Sequence, residues 1–380
     1  MNQSKISVVL LLQGVAFLAL QLVETTHAAG VRRQPVHSVS GLPSATISYK
    51  VDTSWPKNKS LITGQPFSVG VDQALGVVYI LQRQGNHPVL LVSAETGKQV
   101  GKWTEVDPSP NKVLDTPHGL RLQQATAQQH GHDGRQAGGV QSVWITDVGN
   151  MTGHVLRRFT ADGNLQDIIG WPGNAGNSTN PLQFGNVAEL AFAHDKTSAT
   201  GNGTGADPPY SFFVVDGDGG PNNRLLRMQH GELHAFSVTW TVGSAGGAPG
   251  QFNIPHDVDT DDFGRVVVAD RANARLQILR ASDGAFVQEL TCTQPSQPYG
   301  VRFLPQTTAD VVYVAVTLLQ DHKLSVIRQD MSSKSQCEVV DTVSFSNSSS
   351  PHLLDVHRKT GDIFVADITS AEVYKLVSHP

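Results

Sequence analysis

The chain has little charge for its length. Charged residues make up 16% of its 380 positions, and the net charge is −5. A partner rich in phosphate needs a basic face to neutralise it, so nucleic acid is excluded as a ligand class. Cysteine is scarce as well, with only Cys292 and Cys337 present. Apart from one stretch near the N-terminus, no apolar run is long enough to span a bilayer. Uninterrupted helical patterns are also missing. The 36 glycines and 20 prolines mostly sit in short clusters between apolar runs, which marks many tight turns.

The N-terminus reads as an export signal. Lys5 precedes an apolar stretch, Val8 to Leu20, and Thr26-His27-Ala28 places small residues at the −3 and −1 positions of a cleavage site. The expectation is a signal peptide over 1–28, a linker over 29–44 and a single repeat domain over 45–378. An uncleaved anchor is the alternative, weakened by Gln13 and Gln21. Five Asn-x-Ser/Thr acceptors follow, at Asn58, Asn150, Asn177, Asn202 and Asn347. They predict glycans on surface loops of a secreted protein. In an oxidising compartment Cys292 and Cys337 are expected to pair, with two buried thiols as the alternative. A bridge closing about 45 residues would contribute roughly 4 kcal/mol in the chain-entropy account.

The clearest repeat unit runs from Ile254 to Leu290. Ile254-Pro255-His256-Asp257-Val258 leads to a turn at Asp261-Asp262-Phe263-Gly264. The buried strand Arg265–Asp270 follows, then the turn Arg271-Ala272-Asn273. The alternating strand Arg275–Leu279, the Asp283-Gly284 turn and a strand from Ala285 to Leu290 complete it. Four short antiparallel strands joined by tight turns make one propeller blade. Similar units start at Phe67, Pro117, Leu182, Tyr299 and Pro351. This predicts an all-β, six-bladed propeller with a repeat of about 40 to 60 residues. The last unit is one strand short, and Thr46 to Val51 is predicted to supply that strand and close the ring. A monomer is expected. Two inserts, 123–139 and 197–209, read as loops, and His130 and His132 in the first are taken as solvated.

Three histidines stand out. His118, His256 and His352 each follow a proline at the start of an innermost strand, in blades two, four and six. Alternate blades of a six-fold ring lie about 120° apart, so the three side chains would meet on the axis. Three imidazoles with one open position form a zinc ligand set of the catalytic type. Duplication of a strand-capping Pro-His is the competing account, but it does not explain the alternation. In the other three blades the same place falls near Phe67, Asn186 and Tyr299. His87, His154, His194 and His357 lack this relation and are read as surface or turn residues.

The motifs Pro117-His118-Gly119-Leu120, Trp144-Ile145-Thr146-Asp147, Gln251-Phe252-Asn253-Ile254-Pro255-His256, Ala269-Asp270-Arg271 and Pro351-His352 resemble those of the secreted NHL-repeat-containing proteins. Relatives of that group include the lyase domain of peptidylglycine α-amidating monooxygenase. The resemblance covers about Val51 to Leu376. It implies a zinc ion on the axis held by His118, His256 and His352, and a reaction that splits a peptidyl α-hydroxyglycine into a peptide amide and glyoxylate. Arg83 and Arg271 resemble the arginines at the substrate end, where a guanidinium fork suits a carboxylate. Each could equally be a packing or turn residue.

The sequence also departs from the lyase pattern. The lyase has a tyrosine base just after an Asp-Gly, whereas this chain reads Asp216-Gly217-Asp218-Gly219-Gly220-Pro221. Asp218 could stand in as a base, but a Gly-Pro loop is expected to hold it loosely. Without a proton-moving side chain, chemistry would rest on water activated by the metal itself. Leu353 follows His352 where the lyase has a calcium-binding aspartate, which argues against Ca²⁺. Neither cysteine matches a lyase disulfide. The reading is therefore a non-catalytic secreted propeller with a retained metal site. Its mouth loops, such as Asn86 to Pro88 and Asp216 to Arg224, would meet an extracellular ligand or protein. A zinc-dependent lyase is the alternative.

Overall fold

The structure is a computed structural model, and it describes residues 47–104, 114–125, 139–194, 210–231, 235–333 and 337–379. The sites predicted over 1–28 and 29–44, at Asn202, and at His130 and His132 lie outside the described residues. Among the described residues, twenty-four strands form six four-stranded antiparallel sheets.

Blade one comprises β2–β5 (Gln65–Asp72, Val77–Arg83, Val89–Ser93, Gln99–Lys102). Blade two comprises β6–β9 (Pro117–Gln124, Val140–Asp147, Val155–Phe159, Leu165–Gly170). Blade three comprises β10–β13 (Val187–Phe192, Tyr210–Asp216, Arg224–His230, Phe236–Val242). Blade four comprises β14–β17 (Pro255–Thr260, Arg265–Asp270, Arg275–Arg280, Phe286–Leu290). Blade five comprises β18–β21 (Val301–Phe303, Val311–Leu318, Lys323–Asp330, Glu338–Ser344). Blade six joins β22–β24 (Pro351–Val356, Ile363–Asp367, Glu372–His379) to β1 (Ser48–Val51), which pairs with β24 in the register Tyr49↔Ser378 and Val51↔Leu376.

The closing strand predicted from the sequence is therefore present over Ser48–Val51. Of the first predicted insert, β6 continues through Gln124 and β7 starts at Val140, with Ala125 N donating to the Gly139 carbonyl. This turns the ends of that insert into ladder. No helix among the described residues is long and apolar enough to cross a membrane.

The core consists of six apolar layers, one between each pair of neighbouring blades. Val267 and Ile278 of blade four, for example, meet Val301 and Val314 of blade five. Val69 and Ile80 of blade one meet Phe364 and Ala366 of blade six, so the ring closes through packing as well as through β1. Alternating strands with both faces buried explain why these strands read as near-continuous apolar runs. Cys292 and Cys337 form a disulfide with a Cα–Cα distance of 5.5 Å across the blade four–five layer.

A repeated polar clip sets where four of the six inner strands begin. The aspartate that ends the second strand accepts backbone N–H groups from the segment ahead of the first strand. Asp147 takes Asp115 N (2.7 Å) and Thr116 N (2.8 Å), and Asp270 takes Asn253 N (2.7 Å). Asp216 and Asp367 do the same with Gly185 N (2.8 Å) and Ser350 N (2.9 Å). An arginine on the third strand balances the buried charge in three of these clips. Arg157 pairs with Asp147 (2.5 Å), Arg224 with Asp216 (3.0 Å) and Arg275 with Asp270 (2.8 Å). These clips fix the strand starts where the Pro-His pairs stand.

Candidate metal centre

Each of the three histidines sits at an irregularity of its inner strand. The register with the second strand slips between Pro117 and Leu120, between Pro255 and Asp257, and between Pro351 and Leu354. A bulge breaks the alternation of the ladder and re-aims the side chain it carries. Gly119 is required beside the first bulge, because a Cβ there would lie 2.7 Å from both the Ala188 carbonyl oxygen and the Glu189 carboxyl carbon.

The rings converge. Their centroids lie 4.9 Å (His118–His256), 5.0 Å (His118–His352) and 4.9 Å (His256–His352) apart, and all three residues are buried. One nitrogen from each lies within 4.8 Å of the others. The remaining nitrogens identify which ones face inward. Nδ1 of His118 donates to the Ala188 carbonyl (2.9 Å), that of His256 to the Tyr299 carbonyl (2.8 Å) and that of His352 to the Phe67 carbonyl (2.7 Å). A carbonyl only accepts, so each Nδ1 carries a proton, and each Nε2 faces the axis, where it would offer its lone pair to a bound metal. Blades two, four and six thus supply the ligands, and blades three, five and one orient them. Burial favours the neutral form of two of the histidines. It pushes His256 down to about 3, with Asp218 opposing and His118 and Arg271 adding to the shift. Burial also holds His352 well below its ordinary value, followed by the influence of His256 and His118.

The gaps between the histidines are filled differently. Phe67 stands between His118 and His352, at 5.8 and 5.1 Å between ring centroids. Tyr299 stands between His256 and His352, at 4.9 and 6.0 Å. The equivalent position of blade three is Ala188, two residues beyond the predicted Asn186, because β10 begins at Val187 opposite Asp216. Ala188 offers only a methyl group, and Asp218, from the β11–β12 turn of the same blade, reaches the two flanking imidazoles. Its Oδ2 is 3.2 Å from His118 Nε2, and its Oδ1 is 3.8 Å from His256 Nε2.

Asp218 is not loosely held, contrary to the expectation from its Gly-Pro loop. Gly217 N (2.9 Å) and Asp218 N (3.0 Å) both donate to the Asn186 carbonyl, and Asn186 Nδ2 donates to the Asp218 carbonyl (2.9 Å). Gly217 is pressed against Pro255, whose Cδ would lie 2.5 Å from a Cβ there. Burial raises the Asp218 carboxyl pKa, but His118, His256 and Arg271 outweigh burial and hold it well below the usual range.

Both predicted arginines reach this end of the channel. Arg271 Nη1 binds Asp218 Oδ1 (3.0 Å), and its guanidinium lies 4.8 Å over the Tyr299 ring. Arg83 lies 3.4 Å over the Phe67 ring, and its Nε donates to the Pro117 carbonyl (2.6 Å). Burial lowers Arg83 to about 10, with Asp218 and Asp147 opposing. The other predicted non-site histidines stand apart from the cluster, although His154 and His357 are buried rather than on the surface.

A second charged group lies further along the same inner strands and was not anticipated. Arg302 binds Asp257 through Nη1 (2.6 Å), while its Nη2 lies near Glu189 (3.9 Å) and its Nε near Asp355 (3.6 Å). Arg121 bonds the Leu190 (2.8 Å) and Val258 (2.7 Å) carbonyls and lies near Asp259 (3.6 Å) and Asp355 (3.7 Å). The carboxylates also accept backbone N–H groups of the next blade. Asp257 takes Val301 N (2.7 Å), Asp259 takes Phe303 N (2.8 Å) and Asp355 takes Val71 N (2.7 Å). These bonds satisfy the inward edges of the inner strands. Burial raises Glu189 to about 7, with Arg121 and Arg302 opposing and Asp257 adding to the shift. A cavity of about 250 Å³ opens at this end, against Arg121, Asp259 and Asp355, and touches none of the three histidines. The sequence signal was a charged residue inside five of the six buried inner strands, such as Arg302 within Val301-Arg302-Phe303.

The residues fit a zinc ion. Three imidazoles, each with its Nδ1 fixed on a backbone carbonyl, converge on one point, and those orienting carbonyls form the outer layer that zinc sites need. A bound zinc would act as a Lewis acid. Arg83 and Arg271 would orient an anionic group beside it, and the surrounding rings of Phe67 and Tyr299 would exclude water.

The fold and this cluster define a class, the six-bladed propeller of NHL repeats with three histidines on its axis. The NHL repeat family model matches residues 252–279, most of blade four. The human protein described as NHL repeat-containing protein 3 is 38% identical over 334 residues, which cover 87% of this chain and 84% of the human one. Its mouse counterpart is 37% identical over 332 residues, covering the same shares. The chain belongs to the NHL repeat-containing protein 3 family. Peptidyl-glycine alpha-amidating monooxygenase A of Xenopus laevis is 26% identical over 247 residues, covering 62% of this chain but only 22% of that protein. Among solved structures, a streptogramin B lyase shares the fold at a TM-score of 0.51 and 12% identity, covering 84% of this chain and 95% of that one.

Proposed function

We propose that the chain is an exported glycoprotein whose propeller binds an extracellular ligand or protein without catalysing a reaction. In this reading a zinc ion is held by His118, His256 and His352. One observation carries it. Three oriented Nε2 atoms converge on the axis, and the side chain that faces them is a carboxylate, Asp218, where the lyase pattern has a tyrosine. A carboxylate held between a histidine and an arginine is a poor proton carrier, because its proton is lost well below neutral pH. Export is supported by the residues of 1–28, by the disulfide, and by the exposure of Asn58, Asn150, Asn177 and Asn347.

Elemental analysis of the purified protein is the test. About one transition-metal ion per chain is expected in the wild type and none in His118→Ala; a wild type without stoichiometric metal overturns the reading. Secreted material should begin near residue 29, and its gel mobility should rise on glycosidase treatment.

Zinc-dependent amidating-lyase activity is the second reading. It is favoured by Arg83 and Arg271, which both reach the histidine end of the channel. Amide formed from a peptidyl α-hydroxyglycine by the wild type, and lost in His256→Ala, would replace the first reading with the second.

A further inference from the structure

We propose that Asp218 is a fourth, chain-supplied ligand of the metal held by His118, His256 and His352, and that it closes the coordination position an incoming ligand would need. The inference rests on the zinc reading above and decides which kind of site that is.

The geometry around the ring carries it. Two of the three gaps between the histidines hold aromatic rings, which cannot ligate. The third, between His118 and His256, holds the Asp218 carboxylate. Ligands about 2.0–2.2 Å from a tetrahedral zinc stand roughly 3.3 Å from one another. Asp218 Oδ2 is 3.2 Å from His118 Nε2, already the length of one edge of that tetrahedron. A lone ion pair with His118 would not need the rest of the arrangement. Oδ1 is held by Arg271 (3.0 Å) and faces His256, so Oδ2, beside His118 Nε2, is the oxygen placed for the metal, and Oδ1 has the outer partner that ligating carboxylates require. The loop is clamped by three hydrogen bonds to Asn186 and by the contact of Gly217 with Pro255, so this pose requires no ordering when a metal arrives.

The consequence concerns Arg271. One arm of its guanidinium, Nη1, already binds a carboxylate from the chain itself. An anionic ligand entering this end would have to displace Asp218 from both the metal and the arginine. Three histidines with a fourth internal ligand form a closed site of the structural kind, whereas three histidines alone form an open one.

The test uses the full mature protein, stripped by chelator and reloaded with Co²⁺, whose visible absorption reports coordination. Excess azide should leave the wild-type spectrum unchanged. In Asp218→Asn the same azide should shift it, and Zn²⁺ affinity should fall by about 100-fold or more. Azide perturbing the wild type as strongly as the variant, or equal Zn²⁺ affinities, would overturn the proposal while leaving the three-histidine site intact. A wild type that takes up neither Co²⁺ nor Zn²⁺ would overturn the metal reading as well. The wild-type azide titration decides the matter even if the variant folds poorly.

Discussion

Two levels of one channel solve the same problem in opposite ways. β6, β14 and β22 each carry a histidine and, one to three residues further on, a charged residue: Arg121, Asp257 and Asp259, and Asp355. At the histidine level, three imidazole nitrogens and a carboxylate face one another, with Arg271 and Arg83 at the edge. At the second level, two guanidinium groups lie among four carboxylates, and neighbouring backbone N–H groups complete the bonding. In the proposed reading one level takes a cation from outside, whereas the other carries its own. The same inner strands can therefore present either a metal site or an internal salt cluster, depending on what the bulged positions and their successors carry.

The largest predicted effect comes from breaking the self-sufficient level. Arg302→Ala leaves buried carboxylates unpaired and should cost about 3–5 kcal/mol in chemical denaturation. If the two levels are independent, the metal content of any variant protein that stays folded should be unchanged. Removing the disulfide with Cys337→Ser should cost up to about 4 kcal/mol in the same measurement. It lies in the blade four–five layer away from the axis, so it serves as a control that changes stability alone.

The pH dependence of the metal-free protein separates the levels by sign. His256 is lowered to about 3 and His352 is also lowered. Their contribution is full above the unfolded value near 6.5, and it is lost as pH falls from there towards about 3. Glu189 is raised to about 7. Its contribution is full below the unfolded value near 4.5 and is lost as pH rises through about 7. Thermal unfolding across this range should therefore show two opposed slopes. Glu189→Gln should remove the loss towards pH 7 and leave the loss on acidification. The smallest effect is expected from Asn186→Ala. It removes only the side-chain bond to the Asp218 carbonyl, about 1 kcal/mol, and should weaken Zn²⁺ binding modestly in a competition titration.

Much of the fold was legible because it is local. Asp261-Asp262-Phe263-Gly264 and Asp283-Gly284 announce their turns, and the apolar run Val266–Ala269 announces its strand. The missing fourth strand of blade six could be counted, which led to β1. The three histidines were legible through their shared proline and their alternation. The orienting carbonyls were not, because a backbone acceptor leaves no mark in sequence. Asp218 was misjudged for a related reason. Gly217 and Gly219 suggest mobility, but the clamp comes from Asn186, 32 residues away from Asp218, and from Pro255 in the next blade. The place equivalent to the histidines in blade three was set two residues early, because no proline marks Ala188.

The contrast between the levels is tested most directly by adding Zn²⁺ or Ca²⁺ to the metal-free wild type and measuring its unfolding free energy. Zn²⁺ at 100 times its dissociation constant should add about 2.7 kcal/mol, and Ca²⁺ should add nothing. Stabilisation by Ca²⁺, or none by Zn²⁺, would contradict the account.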